Sequence, residues 1–265
     1  MPQWFCNMKQ ISRREMLAST GWLGTTVAVG LPLESAAQAQ STAPPQTGRK
    51  LKIIVTGGHP GDPEYGCGGT IARFTEQGHE VVLLYLNRGE YPEKPVDDDH
   101  SLRVAEARKA CSILRARPLF AGQVDGKAIV DPAHYDQFHQ LVDQEKPDAV
   151  FTHWPIDNHA DHRAISMLTY EAWLRMKRSF AFYYYEVSNG EDTLQFAPSH
   201  YVDISRTQSL KRSACYAHAS QAPDKFYSLQ ELVTRMRGLE SSHAQAEAYI
   251  RHVQSPDFPL PGPQT

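Results

Sequence analysis

Short apolar runs and longer amphipathic segments alternate along most of the chain. The apolar runs are rich in β-branched and aromatic residues and predict strands, whereas the segments between them carry apolar residues at helical spacing. The predicted strands are residues 51–56, 81–86, 118–121, 149–152, 180–187 and 201–204. The predicted helices are residues 67–77, 102–114, 131–145, 159–177, 205–218 and 229–252. This alternation indicates an α/β fold, in which helices cover both faces of a mostly parallel sheet.

The two ends of the chain interrupt this alternation. Residues 40–50 are rich in Ser, Thr, Pro and Gly and predict a linker, while residues 256–265 contain four prolines and predict an irregular tail. The sequence has no internal repeat. We therefore expect a single Rossmann-like domain over residues 51–255.

Residues 1–39 have the pattern of an export signal. Arg13 and Arg14 precede residues 16–33, which contain no charged residue but are too rich in Gly and Thr for a membrane helix. A small-x-small pattern that suits signal peptidase ends at Ala39. The paired arginines resemble a twin-arginine signal, so we expect a periplasmic or extracellular protein without an integral membrane segment. The alternative interpretation is a disordered basic tail.

The composition excludes several classes of function. The chain has 265 residues, of which 41% are hydrophobic and 22% charged, and its formal net charge is −3. These are the proportions of an ordinary soluble globular protein, and without a basic excess we expect no nucleic-acid partner. The four cysteines are too few for a disulfide framework. The glycines after the first strand do not fit G-x-G-x-x-G, so we expect no dinucleotide site.

Histidines and carboxylates concentrate in two segments that each follow a predicted strand. Residues 58–64 read Gly-His-Pro-Gly-Asp-Pro-Glu, and residues 153–162 read His-Trp-Pro-Ile-Asp-Asn-His-Ala-Asp-His. Because ligands bind where parallel strands open into loops, both segments can reach one crevice. Imidazole and carboxylate groups suit Zn²⁺ or another divalent first-row metal, and two histidines with one aspartate leave a position open for a substrate oxygen.

Each segment also has a plain structural interpretation. The run Asp62-Pro63-Glu64 is typical of a helix start, with a capping residue, a proline at the first position and an acidic first turn. A single histidine in a loop is usually only a polar loop residue. Two such segments at equivalent positions of the fold favour a metal site over coincidence.

The pair H-P-x-D and H-x-D-H resembles the PIG-L/LmbE family, which are zinc-dependent deacetylases of molecules that contain N-acetylglucosamine. The resemblance extends over about residues 51–225. Further segments that match the family are residues 66–72, 87–90, 103–110, 125–126, 203–205 and 218–221. The combination is much more specific than any one of these segments.

The resemblance implies the metal ligands and part of the catalytic machinery. The implied ligands are His59, Asp62 and His162. The implied role of His159 is to face the substrate and, when protonated, to stabilise the oxyanion or to protonate the leaving amine. Asp161 would orient a neighbouring histidine.

The residues around the substrate follow in part from the same resemblance. Arg88 and Asp125 would hold the sugar, and His153 and Asp157 would line the rim of the pocket. Trp154 lies inside the second segment, and its ring is our candidate for stacking on a sugar. The expected partner is therefore a small-molecule or glycan substrate.

Position 61 departs from the family pattern. The resemblance implies an aspartate there that acts as the general base, whereas this chain has Gly61. Because glycine cannot accept a proton, Glu64, Asp157 and Asp161 become the candidates for that task. We expect a metal-dependent amide hydrolase. The alternatives are a metal- or sugar-binding protein that has lost catalysis, and a metal-dependent glycoside hydrolase or lyase.

Overall fold

A computed structural model of the chain describes residues 48–90, 101–188 and 193–262. The predicted export signal and most of the predicted linker lie outside these residues. The strands are β1 (Lys52–Gly57), β2 (Glu80–Asn87), β3 (Arg117–Gln123), β4 (Ala149–His153), β5 (Ala181–Tyr185), β6 (His200–Asp203) and β7 (Ala246–Arg251). The α-helices are α1 (Asp62–Glu76), α2 (Leu102–Leu114), α3 (Pro132–Glu145), α4 (Ala160–Arg175), α5 (Gln208–Ala217) and α6 (Pro223–Ser241), and a 3₁₀ turn spans Ala219–Gln221. None of these helices is long and apolar enough to cross a membrane.

The strands form one seven-stranded sheet in the order β3-β2-β1-β4-β5-β7-β6. Strand β1 is an inner strand that pairs in parallel with β2 and β4, so that Ile53 lies between Val81 and Ala149. Only β7 runs antiparallel to its neighbours, β5 and β6. The predicted α/β class with a mostly parallel sheet is confirmed. Strand order reverses between β1 and β4, which is where this type of sheet opens a ligand crevice.

Two apolar cores cover the two faces of the sheet. Ile53 and Val55 of β1 face a core with α1, α2 and α5, whereas Ile54 faces the opposite core with α3 and α4. This division follows because successive side chains of a strand point to opposite faces. The strands are buried on both sides and therefore read as continuous apolar runs.

Helix α1 begins at Asp62, whereas the sequence predicts its start at Cys67. The first turn forms because a proline follows Asp62 and because the Glu64 carboxylate accepts a hydrogen bond from the Gly61 N–H at 3.2 Å. The glycines that follow allow close packing. A Cβ atom at Gly66 would lie 2.3 Å from the ring of Tyr185, so only glycine lets α1 approach β5 here.

The predicted helix over residues 229–252 is confirmed as far as residue 241 and is wrong beyond it. Helix α6 ends at Ser241, and residues 246–251 form β7, the strand between β5 and β6. The segment Ala-Glu-Ala-Tyr-Ile-Arg carries helix-forming residues, but its place in the sheet is set by tertiary pairing. Its Glu247 is buried and meets Lys211 at 2.6 Å, a contact that no local pattern reveals.

Candidate active site

A cavity of about 370 Å³ opens beside the loops that follow the central strands. Five of the predicted site residues line it: His59, Asp62, Asp125, His159 and His162. His59 follows β1, Asp62 begins α1, and His162 lies in the first turn of α4. The two segments that the sequence singles out therefore meet in one place, as their positions after neighbouring parallel strands require.

The carboxylate of Asp62 is the point on which the histidines converge. Its Oδ2 atom accepts a hydrogen bond from the backbone N–H of His59 at 2.8 Å, and it lies 3.3 Å from Nδ1 of that residue. The Nε2 atoms of His153 and His162 are each 3.2 Å from the same oxygen. Burial would raise the pKa of Asp62, but the surrounding imidazoles hold it well below its usual value. The carboxylate is therefore ionised, as a metal ligand must be.

His162 is held from behind by a second carboxylate. Its Nδ1 lies 3.1 Å from Oδ1 of Asp157. The same carboxylate accepts hydrogen bonds from the backbone N–H of His159 at 2.8 Å and from the Thr193 hydroxyl at 3.1 Å. Burial opposes protonation of His162, but Asp62 and Asp157 outweigh it and raise the pKa to about 9. Such a carboxylate fixes the orientation of the ring and leaves Nε2 directed at the cavity floor.

His59 has a similar carboxylate neighbour. Its Nε2 lies 3.1 Å from Oδ2 of Asp161 and 3.2 Å from Oδ1 of Asp125. Asp161 is fully buried and also accepts hydrogen bonds from the Asn87 amide and the Gly126 N–H, at 3.0 and 2.9 Å. Burial opposes protonation of His59, yet its carboxylate neighbours raise its pKa well above the ordinary value. Asp161 thus makes the contact that an orienting role requires.

His159 stands at the N-terminus of α4 and is half-buried in the cavity wall. Its Nδ1 accepts a hydrogen bond from the Asp161 N–H at 3.2 Å, which fixes the ring. The ring centroid is 4.5 Å from that of His59 and 4.7 Å from that of His162. Burial and these two neighbours lower the pKa of His159, so the ring is largely neutral near neutral pH.

Three overlapping groups of side chains bring their donor atoms within 4.8 Å of one another. The groups are His59 with His159 and His162, Asp62 with His153 and His162, and His59 with Asp125 and Asp161. The donors are imidazole nitrogens and carboxylate oxygens, the set that suits zinc and its first-row neighbours. The chemistry of the cavity floor therefore fits a divalent metal.

The family model described as PIG-L: GlcNAc-PI de-N-acetylase matches residues 54–173. Residues 54–173 of the chain are therefore similar to the PIG-L family. A diacetylchitobiose deacetylase of Thermococcus kodakarensis is 29% identical over 227 residues, which cover 76% of this chain and 83% of that protein.

Solved structures share the fold of this chain. A conserved protein of Thermus thermophilus has a TM-score of 0.68 and 26% identity, and the match covers 79% of this chain and 98% of that one. The N,N'-diacetylchitobiose deacetylase of Pyrococcus horikoshii has a TM-score of 0.65 and 20% identity, with 76% and 84% covered.

His153 and Asp157 do not line the rim of the cavity, contrary to their predicted place. Strand β4 runs one residue further than predicted and ends at His153, so the ring is fully buried beneath Asp62. Burial, aided by the nearby His162, lowers the pKa of His153 to about 4. Asp157 is 6% exposed and lies behind the ring of His162, on the Nδ1 side, rather than on the cavity rim.

Two predicted substrate residues lie outside the cavity lining. Trp154 packs edge-on against Tyr184 and Phe196, with ring centroids 5.3 and 6.1 Å apart. The guanidinium of Arg88 lies over the ring of Phe120, 5.9 Å from its centroid. Neither side chain is among those that face the cavity.

Arg103 lines the cavity, whereas the sequence pattern predicts only that it lies in a helix. Its Nη2 donates to the Pro60 carbonyl at 2.8 Å, while Nε and Nη1 are buried and have no hydrogen-bond partner among the described residues. Glu106 lies 3.9 Å from Nη1, but its carboxylate accepts both the N–H and the hydroxyl of Ser220 at 2.7 Å. The guanidinium therefore keeps donors available beside the cavity. Its place in the matching segment 103–110 was the only sequence signal.

Part of the cavity wall comes from outside the matched PIG-L range. His218 and Gln221 follow α5, Phe226 lies in α6, and Val187 follows β5. His218 belongs to another segment that matches the family, but the sequence alone gave no reason to place it in the site. Its position depends on how α5 packs against α1 and α2.

Glu64 is fully buried and does not line the cavity. Its Oε1 accepts a hydrogen bond from the Tyr85 hydroxyl at 2.7 Å and lies 3.0 Å from Nε2 of His218. Its Oε2 accepts the N–H of Gly61 at 3.2 Å. The carboxylate thus ties the start of α1 to β2 and to His218.

Proposed function

We propose that the protein is a metal-dependent hydrolase that removes an acyl group, in the simplest case acetyl, from the nitrogen of an amino sugar or a related glycoside. The observation that carries the proposal is the approach of His59, His153 and His162 to one oxygen of Asp62, within 3.2–3.3 Å, at the floor of a cavity. The similarity to a diacetylchitobiose deacetylase supports the reaction class and the sugar substrate.

His59, Asp62 and His162 would hold zinc or another divalent first-row metal. Two imidazoles and one carboxylate are a ligand set of catalytic zinc sites that keep a position open. The bound ion would supply Lewis acidity for attack on an amide carbonyl. Asp157 and Asp161 touch the outer nitrogens of His162 and His59 and would keep both rings oriented.

The remaining polar groups of the cavity fit an N-acylated sugar. His159 is held by the Asp161 N–H, faces the cavity and, when protonated, can pass a proton to the departing amine. Asp125, beside His59, offers an acceptor for sugar oxygens, and Arg103, beside Pro60, offers donors. A volume of about 370 Å³ lies at the small end of ordinary ligand sites, about 300–1,000 Å³, and accommodates one or two sugar rings.

A second candidate is a binding protein of the same fold. Gly61 favours it, because the position of the expected general base has no side chain. Loss of general-base assistance typically costs about 10²–10⁴-fold in rate. The intact set of His and Asp side chains around the cavity favours the enzyme.

We also propose that the protein is exported by the twin-arginine route, with residues 40–265 as the mature form. The support is the arginine pair at Arg13 and Arg14, the uncharged stretch after it and the small residues that end at Ala39.

The test is an incubation of the purified, zinc-loaded protein with N-acetylglucosamine, diacetylchitobiose and N-acetylated aryl glycosides. Free amine, acetate and new reducing ends are followed together. Release of equal amounts of amine and acetate, lost on chelation and in His162→Ala, supports a deacetylase. New reducing ends without acetate would point to the glycoside hydrolase or lyase. Saturable binding without any product would support the binding protein.

A further inference from the structure

Gly61 lies directly beside the ring of His218. Its φ is +117°, and a Cβ atom built there would lie 3.8 Å from Cδ2 and 4.0 Å from Cγ of His218. Among the described residues outside the adjoining chain, these are the only atoms within 4 Å of that Cβ position. The imidazole therefore occupies the side of position 61 towards which a side chain would begin to extend.

The three carboxylates nearest in sequence are poorly placed to act as the base. Glu64, Asp157 and Asp161 are buried, as His218 is, but none of the three lines the cavity, whereas His218 does. Each carboxylate also accepts hydrogen bonds from neighbouring protein groups. Glu64 accepts them from the Gly61 N–H and the Tyr85 hydroxyl. Asp161 accepts one from the Gly126 N–H, and Asp157 accepts one from the His159 N–H. These contacts hold the loops and rings of the site in place, and none of the three carboxylates faces the cavity.

His218 does line the cavity and has the arrangement of an oriented base. Its Nε2 is 3.0 Å from Oε1 of Glu64, and the hydroxyl of Tyr85 donates to the same oxygen. A carboxylate acceptor places the proton on Nε2, so that Nδ1 carries the lone pair. Nδ1 is buried and has no hydrogen-bond partner among the described residues. Because an unpaired buried nitrogen is costly, we expect a water or substrate group to be its partner in the working enzyme.

We propose that His218 is the general base, with Glu64 as its positioning residue, in place of the carboxylate that position 61 lacks. This inference rests on the proposed function. Nδ1 of His218 accepts a proton from water while the water oxygen forms a bond to the acyl carbon and the carbonyl π electrons move to oxygen. When the carbon–nitrogen bond breaks, its electron pair stays on nitrogen, which receives a proton from protonated His218, or from His159 when that ring is itself protonated. The products are the carboxylic acid and the amine.

The first experiment compares His218→Gln with His200→Gln, a control in β6 outside the cavity lining. Each variant is purified as the zinc-loaded full chain, and zinc content, thermal unfolding, kcat and KM are measured on the best N-acetylated substrate. We expect His218→Gln to lower kcat by about 10²–10⁴-fold with KM and zinc content nearly unchanged, and the control to match the natural protein. A kcat above about one tenth of the natural value in a folded, zinc-loaded His218→Gln protein would overturn the inference.

The second experiment asks whether a carboxylate at position 61 can replace the imidazole. We expect added imidazole to restore part of the turnover of His218→Ala, and Gly61→Asp to raise turnover in that same background. If neither does so while the variants remain folded and zinc-loaded, His218 is structural.

A spectroscopic measurement is independent of turnover. Nitrogen-15 NMR of the histidine rings should show His218 as the neutral tautomer protonated at Nε2, and Glu64→Gln should abolish this preference. A ring protonated at Nδ1 alone would contradict the base role. If the natural protein turns over no acylated sugar, the proposed hydrolase function is wrong. Turnover that survives His218→Gln contradicts only the role of His218 as the general base.

Discussion

The Nε2 atom of His153 lies 3.2 Å from Oδ2 of Asp62, as close as the Nε2 atom of His162. Distance alone therefore does not separate the two histidines as metal ligands. Their surroundings differ, because His153 is fully buried at the end of β4 whereas His162 lines the cavity. His162 also has the carboxylate of Asp157 on its outer nitrogen, the usual companion of a metal-binding imidazole.

We therefore expect His162→Ala to lose most of its zinc and to remain folded, since the residue lies in the first turn of a helix at the cavity rather than in an apolar core. His159→Ala should keep its zinc and lose turnover. Zinc per chain after dialysis, together with the circular dichroism spectrum, checks both expectations. His153→Gln is the matched comparison and should retain the metal. Loss of zinc from His153→Gln but not from His162→Ala would exchange the roles of these two histidines.

Sequence patterns located the floor of the site because its residues follow strands. His59 and His162 belong to segments after β1 and β4, and parallel pairing of adjacent strands brings such segments together. The same local reasoning misplaced His153, since a strand that is longer by one residue converts a rim position into a buried one. The pattern of apolar and polar residues does not show whether a strand ends one residue earlier or later.

The rest of the cavity wall depends on contacts between distant elements. Arg103 reaches Pro60 from α2, and His218 reaches Glu64 from the end of α5. Their segments carry no local signal of a site, because each side chain gains its role only when its helix docks. Strand β7 was missed for a related reason, since its partners are β5 and β6 and its own residues also suit a helix.

Arg103 should matter more than Arg88 for substrate binding. Arg103 lines the cavity with two buried N–H groups that have no partner among the described residues, whereas Arg88 lies over Phe120. We expect Arg103→Gln to lower kcat/KM by about 10-fold or more, the effect of one lost hydrogen bond to a charged group, and Arg88→Gln to have a smaller effect. Michaelis–Menten kinetics on the best substrate checks this. The reverse order of effects would favour the sugar contact that the family resemblance implies for Arg88.

Replacement of Gly61 should destabilise the protein even where it adds a useful group. A φ of +117° is a conformation that only glycine adopts without strain, which costs other residues about 1–3 kcal/mol. We expect Gly61→Ala and Gly61→Asp both to lower the urea midpoint of unfolding. Gly61→Ala isolates the backbone cost, because alanine adds no charge beside Asp62 and Glu64. Equal midpoints for the natural protein and Gly61→Ala would mean that this backbone conformation is not required.

Glu145 links the end of α3 to two strands and should confer a pH-dependent stability. Its Oε2 lies 2.7 Å from Nη2 of Arg117 and 3.2 Å from Nζ of Lys52. Burial opposes ionisation, but these two cations lower the pKa of Glu145 below its ordinary value of 4.5. A carboxylate whose folded-state pKa is depressed stabilises the fold above the unfolded-state pKa, and this contribution disappears as pH falls through the folded-state pKa.

Glu145→Gln should therefore be less stable than the natural protein by about 0.5–1 kcal/mol near neutral pH, the size expected for a partly exposed ion pair that solvent screens. The difference should shrink progressively as pH falls below about 4, because Glu145 then takes up a proton in the folded state and both proteins approach an uncharged side chain. Urea unfolding at the two pH values measures it. A difference that stays constant with pH would assign the effect to packing rather than to charge.

The arginine pair and the cleavage site of the proposed export signal can each be tested. The proposed ligands His59 and His162 come from separate strand–loop segments, so the proposed metal site would exist only once the domain has folded. A route that carries folded proteins would allow the metal to be loaded before export. We expect Arg13→Lys with Arg14→Lys to retain the precursor in the cytoplasm, whereas Arg235→Lys, on the exposed surface of α6, should not. Mass spectrometry of the exported protein should find Gln40 as the first residue, and an exported chain that still begins at Met1 would contradict the proposal.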